Sequence, residues 1–176
     1  MAAVAIADST TGDPVQELLT GVDFVPERSS LDEAAGGLAE DELVALAEDA
    51  SGTTDTGIRL RAIRALAEYP GTETSQTLAA ILSDHQDATG IDTLYVRAAA
   101  ASLAAVEGAS SVPAIGPLLN HPSQDVRVTA ARALAATKSA AAVPLLRDRL
   151  GEEPEIQVRL ALSAAIRDLT DAPLPQ

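Results

Sequence analysis

Apolar residues recur along most of this chain in steps of three and four, the spacing of a helix with one buried stripe. From Ile58 onward, Ala62, Leu66 and Tyr69 share such a stripe, with Ile63 and Ala67 beside it. The segment type returns three times: IRLRAIRALA from Ile58, YVRAAAASLAA from Tyr95, VRVTAARALAA from Val126 and VRLALSAAI from Val158. Each runs from an apolar residue to an arginine and then into small helix-forming residues. Arg59, Arg97, Arg127 and Arg159 are separated by 38, 30 and 32 residues, a period near 32 with one insertion. Self-similarity at this period marks stacked helical units, each too small to bury its own apolar face.

Shorter helical patterns at residues 72–83, 112–119 and 140–150 alternate with the arginine segments, so each repeat reads as a helical hairpin. Gly71, Gly108 and Gly151 are placed as helix stops, and Pro113 and Pro144 near helix starts, where a missing N–H does little harm. Small residues such as Ala130, Ala131 and Ala133 let neighbouring helices approach closely. Residues 40–49 read as a first helix pairing with the one that begins at Ile58, which makes about four hairpins. Upstream, Asp13-Pro14 with Gln16 and Ser30 with Glu33 look like helix N-terminal caps, so residues 13–39 are expected to fold as short helices over the open end of the stack. Residues 1–12 and the tail APLPQ, 172–176, are expected to be loose.

Composition narrows the class. Apolar residues make up 47% of the chain but aromatics only 2%, so the core must be built from Ala, Leu, Val and Ile, which favours close-packed helices over sheet. Charge adds an asymmetry: of a net −14, nearly all falls in residues 1–57, which hold 13 acids and one base, Arg28. Nucleic acid is not an expected partner, because counterion release requires clustered Lys and Arg and this chain repels polyanions at long range. No apolar run is read as long enough to cross a bilayer, so no membrane is expected either. Without cysteine, disulfides, thiolate zinc sites and a cysteine nucleophile are excluded and the compartment stays open. A soluble cytoplasmic location is favoured over export.

VRVTAARALA from Val126, led by LNHPSQDVR from Leu119, resembles the HEAT-like repeats of bacterial proteins, over roughly residues 40–169, within a repeat region expected at 40–171. The resemblance implies an all-α fold, a right-handed α-α superhelix of about four hairpins with an N-terminal helical cap. It also implies a ladder in which the repeated arginines bond loops and adjacent hairpins, together with an acidic residue two positions past a leucine: Asp84 after Leu82 and Glu152 after Leu150, with His121 standing there in the third repeat. The second repeat departs from the pattern. It carries an insertion at 85–92, and Leu103 falls six residues after Arg97, where Leu66 and Leu134 fall seven after theirs.

In a HEAT-like stack the second helices line the concave side, so positions one, five and nine after each arginine should face the groove. These are Leu60, Arg64 and Glu68; Ala98, Ser102 and Val106; Val128, Arg132 and Ala136; and Leu160, Ala164 and Asp168. The expected partner-binding residues are Leu60, Arg64, Ser102, Val128, Arg132 and Leu160, an apolar column with two arginines able to pair with acidic groups. Solvent exposure decides between that groove and the alternative, in which the column packs into the core.

Catalysis has little to work with. His85 and His121 lack metal-ligand spacing and read as loop-exposed or turn-bonded. HEAT-repeat hydroxylases hold iron with His-Glu pairs, but here Gln86 follows His85 and Pro122 follows His121. The acidic groups Glu40, Asp41, Glu42 and Glu48, Asp49 read as solvated helix ends, lacking the alternating donors of a calcium loop. No catalytic residue, cofactor or metal is therefore expected. The leading expectation is a non-catalytic interaction or scaffolding module for a protein or peptide. A lyase-type enzyme resembling the phycobilin lyases and a structural homo-oligomerisation domain are the alternatives.

Overall fold

Ten α-helices and no strand occur among the residues that the computed structural model describes, 13–21, 25–49 and 51–171. They are α1 (Pro14–Leu18), α2 (Arg28–Ala34), α3 (Ala39–Glu48), α4 (Thr56–Ala65), α5 (Thr72–Asp84), α6 (Asp92–Glu107), α7 (Val112–Ile115), α8 (Gln124–Ala136), α9 (Ala142–Glu152) and α10 (Ile156–Thr170). Single 3₁₀ segments extend α4 (Leu66–Glu68) and α7 (Gly116–Asn120), and a third, Gly108–Ser111, joins α6 to α7. The expectations for residues 1–12 and 172–176 lie outside the described residues.

Each arginine segment forms the second helix of a hairpin: α3 with α4, α5 with α6, α7 and its 3₁₀ extension with α8, and α9 with α10. The second helices pack in the order α4, α6, α8, α10, while α3 packs on α5 and α5 on α7. One hydrophobic cluster runs through the whole series, from Val15 in α1 to Ala165 in α10. This is the continuous interior that a repeat unit cannot make alone. The fold is an all-α, HEAT-like array of helical hairpins, as the sequence implied.

At the N-terminal end, Asp13 caps α1 by accepting the Val15 N–H at 3.0 Å, as its sequence suggested. Ser30 is a different matter. It lies inside α2, whose N-cap is Glu27 with no side-chain bond, because the chain turns helical at Arg28. Val15, Leu19 and Leu31 are fully buried, so α1 and α2 close over α3. Polar ties fix them: Arg28 donates to the Glu68 carbonyl at 2.8 Å, and Arg61 donates to the Leu19 carbonyl. The Tyr69 hydroxyl donates to Asp32 at 2.9 Å, and burial, with Asp32 beside it, pushes that phenol up to about 12.

Two glycine assignments resolve differently. Gly151 lies within α9, which ends one residue later at Glu152 ahead of Pro154, so proline and not glycine stops it. Gly108 does end α6, with φ +54° and ψ −125°, a region that L side chains avoid. A Cβ there would meet no atom within 4 Å, so replacement strains only the backbone. Gly108→Ala is accordingly expected to lower stability by about 1–3 kcal/mol in urea unfolding, without a change in helix content.

The stretch Asp92–Asn120 is long and apolar enough, by length and composition, to cross a membrane, contrary to the reading of the sequence. Alanine supplies much of that apolarity. Half of its most apolar window is buried, and α6 packs against α4, α5 and α8, which makes it a central helix of the stack.

Candidate interaction face on the second helices

The repeated arginines are rungs within hairpins. Arg59 donates to the Ala47 carbonyl at 2.9 Å and the Glu48 carbonyl at 3.4 Å, at the end of α3. Arg127 donates to the carbonyls of His121 and Pro122 at 2.8 and 2.9 Å, and Arg159 to those of Leu150 and Glu153 at 3.0 and 3.1 Å. In each case a cation from the second helix satisfies carbonyls left unpaired where the first helix ends.

Arg97 breaks the series, and burial explains why. The inward positions of α8 are Val126, Arg127, Ala130, Ala131 and Leu134; those of α6 with the same spacing are Tyr95, Val96, Ala99, Ala100 and Leu103. Val96, not Arg97, is therefore the counterpart of Arg127. The insertion before α6 leaves its arginine one position late, turned towards the face where α8 presents Val128. There Arg97 donates to the Thr129 hydroxyl at 3.1 Å, across to the next repeat.

The shift moves two expected groove residues inward. Ser102 is buried, its hydroxyl donating to the Ile63 carbonyl at 2.9 Å, and Ala98 is buried beside it. Their places on the face pass to Ala101 and Arg97. The remaining expected residues lie near the surface: Arg64 and Arg132 are exposed, Leu60 and Val128 half-buried, and Leu160 is 61% exposed. Burial of the whole column, the competing expectation, does not occur.

Two recesses open on this face. One, of about 320 Å³, lies between α4 and α6 and is lined by Arg64, Arg97, Leu94, Ala101 and Thr129. The other, of about 470 Å³, lies between α8 and α10 and is lined by Arg132, Lys138, Leu160, Ala164 and Asp168. Alanines floor both, because small residues at these positions let the second helices approach and leave a shallow furrow above the contact.

The carboxylate of the ladder is one residue away from its expected place. Glu152 is exposed, whereas Glu153 is buried and accepts from Arg127 at 2.8 and 2.9 Å and from Arg149 at 2.9 and 2.7 Å. The Glu155 N–H adds a bond at 3.1 Å. Burial by itself would raise this carboxyl, but the two guanidinium groups and the N–H outweigh it and hold it at about 2. Pro154 forces the turn that points Glu153 inward. Asp84, the other expected rung, is exposed.

Two other groups of polar residues take structural places. Glu40 accepts from Thr74 at 2.9 Å and Glu48 from Thr77 at 3.1 Å, so these acids tie α3 to α5, where solvated helix ends were expected. Thr74 and Thr77 are buried, and a hydroxyl taken out of water needs such an acceptor. His121 is turn-bonded, its Nδ1 accepting the Ser123 N–H at 3.0 Å, and it is buried rather than exposed. Its buried Nε2 has no hydrogen-bond partner among the described residues, and burial holds its pKa below the usual histidine value. Among the described residues, no three of His, Cys, Asp and Glu gather as a metal site.

Residues 92–167, from the start of α6 into α10, match the family described as HEAT repeats. No curated protein and no solved structure matches the chain. HEAT repeats in general act as protein-interaction scaffolds and are generally non-catalytic. Arginine rungs joining stacked hairpins over one unbroken core agree with that match, and residues 92–167 are HEAT-like repeats.

Proposed function

We propose that this protein binds a protein or peptide partner, without turnover, on the face formed by α4, α6, α8 and α10. In this reading residues 40–171 form the repeat array, residues 13–39 cap it, and the second helices line the inner wall of a right-handed superhelix. The observation that carries the proposal is the exposure of Leu160, 61%, in line with half-buried Val128 and Leu60 and beside unburied Arg64 and Arg132. Leucine at such exposure on a helix face with recesses beside it gains free energy when a partner covers it, at about 25 cal/mol per Å² of apolar area.

The test is site-specific crosslinking. Photoreactive side chains are placed at Leu160 and Ala136 on the proposed face and at exposed Gln76 on α5, and covalent adducts from the source cell are compared. Adducts are expected from the first two positions, and Leu160→Glu should reduce recovery of the same partner by roughly tenfold. Adducts from Gln76 alone, or recovery indifferent to Leu160→Glu, would place the interaction elsewhere. Adducts consisting only of a second copy would identify an oligomerisation surface instead.

A further inference from the structure

The chain carries 26 acidic residues against 12 basic ones, so a cation on its surface has carboxylates in ample supply. Arg28, Arg127 and Arg149 take them, in ion pairs of 3.4, 2.8 and 2.7 Å. The other cations do not: among the described residues no carboxylate oxygen comes within 4.0 Å of them. Arg59, Arg61 and Arg159 donate to backbone carbonyls instead, and Arg147 and Arg167 are exposed outside the recesses, which leaves Arg64, Arg97, Arg132 and Lys138. All four line the two recesses of the second-helix face, two in each. Unpaired cations gathered by twos over alanine floors, on a chain of net charge −14, are a local reversal of the protein's field.

We infer that the occupant of this face is an extended, acidic protein segment that places one carboxylate in each recess and an apolar side chain between them over Val128. The inference rests on the binding face proposed above and specifies its partner. Two cations lining one recess, Arg64 with Arg97 in the first and Arg132 with Lys138 in the second, suit a carboxylate, since charge-assisted pairs are strong and, with Arg, directional. A long polyanion is disfavoured by the acidic remainder of the chain, whereas a segment with two well-placed carboxylates meets mainly the local cations.

Spacing follows from packing. From the furrow between α4 and α6 to that between α8 and α10 is two interhelix steps, about 16–20 Å at the usual distance between packed helices. An extended chain advances about 3.3 Å per residue and turns alternate side chains to opposite sides, so two carboxylates facing the same surface should stand about six residues apart. The recesses are unequal, because Asp168 lines the second alongside Arg132 and Lys138, whereas the first has only cations among its charged lining residues. Arg64 and Arg97 should therefore contribute more to selection of the acidic group.

Fluorescence anisotropy on the full chain tests this with a labelled peptide of about twelve residues carrying two glutamates about six apart and leucines about two and four residues after the first, all on one side of the extended chain. Three comparison ligands are a glutamine-for-glutamate peptide, a lysine-for-glutamate peptide and a single-stranded oligonucleotide. The acidic peptide is expected to bind at least roughly tenfold tighter than the glutamine peptide, with the difference shrinking as salt screens the pairs. Arg64→Glu combined with Arg97→Glu should remove that preference and confer binding of the lysine peptide, and Arg132→Glu should weaken the acidic peptide by a smaller factor. Both variants are to be compared with the parent by circular dichroism, and among the described residues the Arg132 side chain makes no ion pair. Equal binding of the glutamine and acidic peptides, tighter binding of the oligonucleotide, or arginine variants that keep the acidic preference would each overturn the inference. If neither peptide binds while Leu160→Glu still releases the captured partner, the acidic specification fails and the face stands; capture indifferent to Leu160→Glu removes the face itself.

Discussion

Glu153→Ala is expected to cost about 3–5 kcal/mol of folding stability, the range for removing one partner from a buried ion pair. The carboxylate side chain has no exposed surface, Arg127 retains 9% and Arg149 17%, so truncation strands a guanidinium in the core between α8 and α9. The cost comes from that uncompensated charge more than from the lost attraction. Urea unfolding of the full chain measures it, and a loss under about 1 kcal/mol would mean that water reaches Arg127 in the variant.

The same group sets an acid limit. Its folded pKa of about 2 lies below the ordinary 4.5, so the unfolded chain takes up the proton first. The contribution is whole above pH 4.5 and is lost as pH falls towards 2, by about 3 kcal/mol in all. His121 acts in the same direction but earlier. Burial lowers its pKa from 6.5, so the stability of its neutral form begins to fall below that pH. Glu153→Gln should therefore flatten the lower part of the stability profile and leave the limb that starts near 6.5 in place. A profile unchanged below pH 4.5 would assign the acid limit to other carboxyls.

Leu134→Ala is expected to destabilise the chain by about 2–5 kcal/mol, the cost of lost burial plus a cavity that its surroundings only partly refill. Leu134 is fully buried in α8, which packs against both α6 and α10, so one truncation weakens a hairpin and both of its interfaces. Ile166 holds the corresponding place in α10 but is only half-buried. Ile166→Ala should consequently cost clearly less than Leu134→Ala in the same urea titration. Equal losses would show that the described helices leave α10 no less covered than α8.

Periodicity made the helices legible because a helix advertises its buried side through short-range spacing. Ile63, Leu66, Ala130 and Leu134 are core residues on that ground alone, and the hairpin division followed from four recurring arginines. Local capping chemistry was legible where the turn is set by adjacent residues, as at Asp13. It failed at Ser30 and Gly151, where neighbouring packing lets the helix run through a residue that could have bounded it.

The proposed binding face was half legible. Arg64, Arg132, Val128 and Leu160 sit where equal spacing from the arginines places them, because α4, α8 and α10 keep one register. Arg97 could not be placed in that way. Aligning the repeats on arginine hid a one-residue rotation of α6, although Leu103, six residues after Arg97 instead of seven, carried its trace. The buried counterpart in α6 is Val96, so Ser102 turns inward to the Ile63 carbonyl and Arg97 turns out to join Arg64.

By itself the sequence determined the class of fold, the number of hairpins and the stripes that α4, α8 and α10 bury, since all three depend on contacts between residues a few positions apart. Only tertiary structure decided that Glu153 and not Glu152 joins two arginines, that Glu40 and Glu48 hold α5, and that four cations line two recesses with no carboxylate at ion-pair distance among the described residues. Those outcomes depend on which way a side chain is rotated when one hairpin settles on the next, and a rotation of one residue, about 100° around a helix, is enough to exchange core for surface.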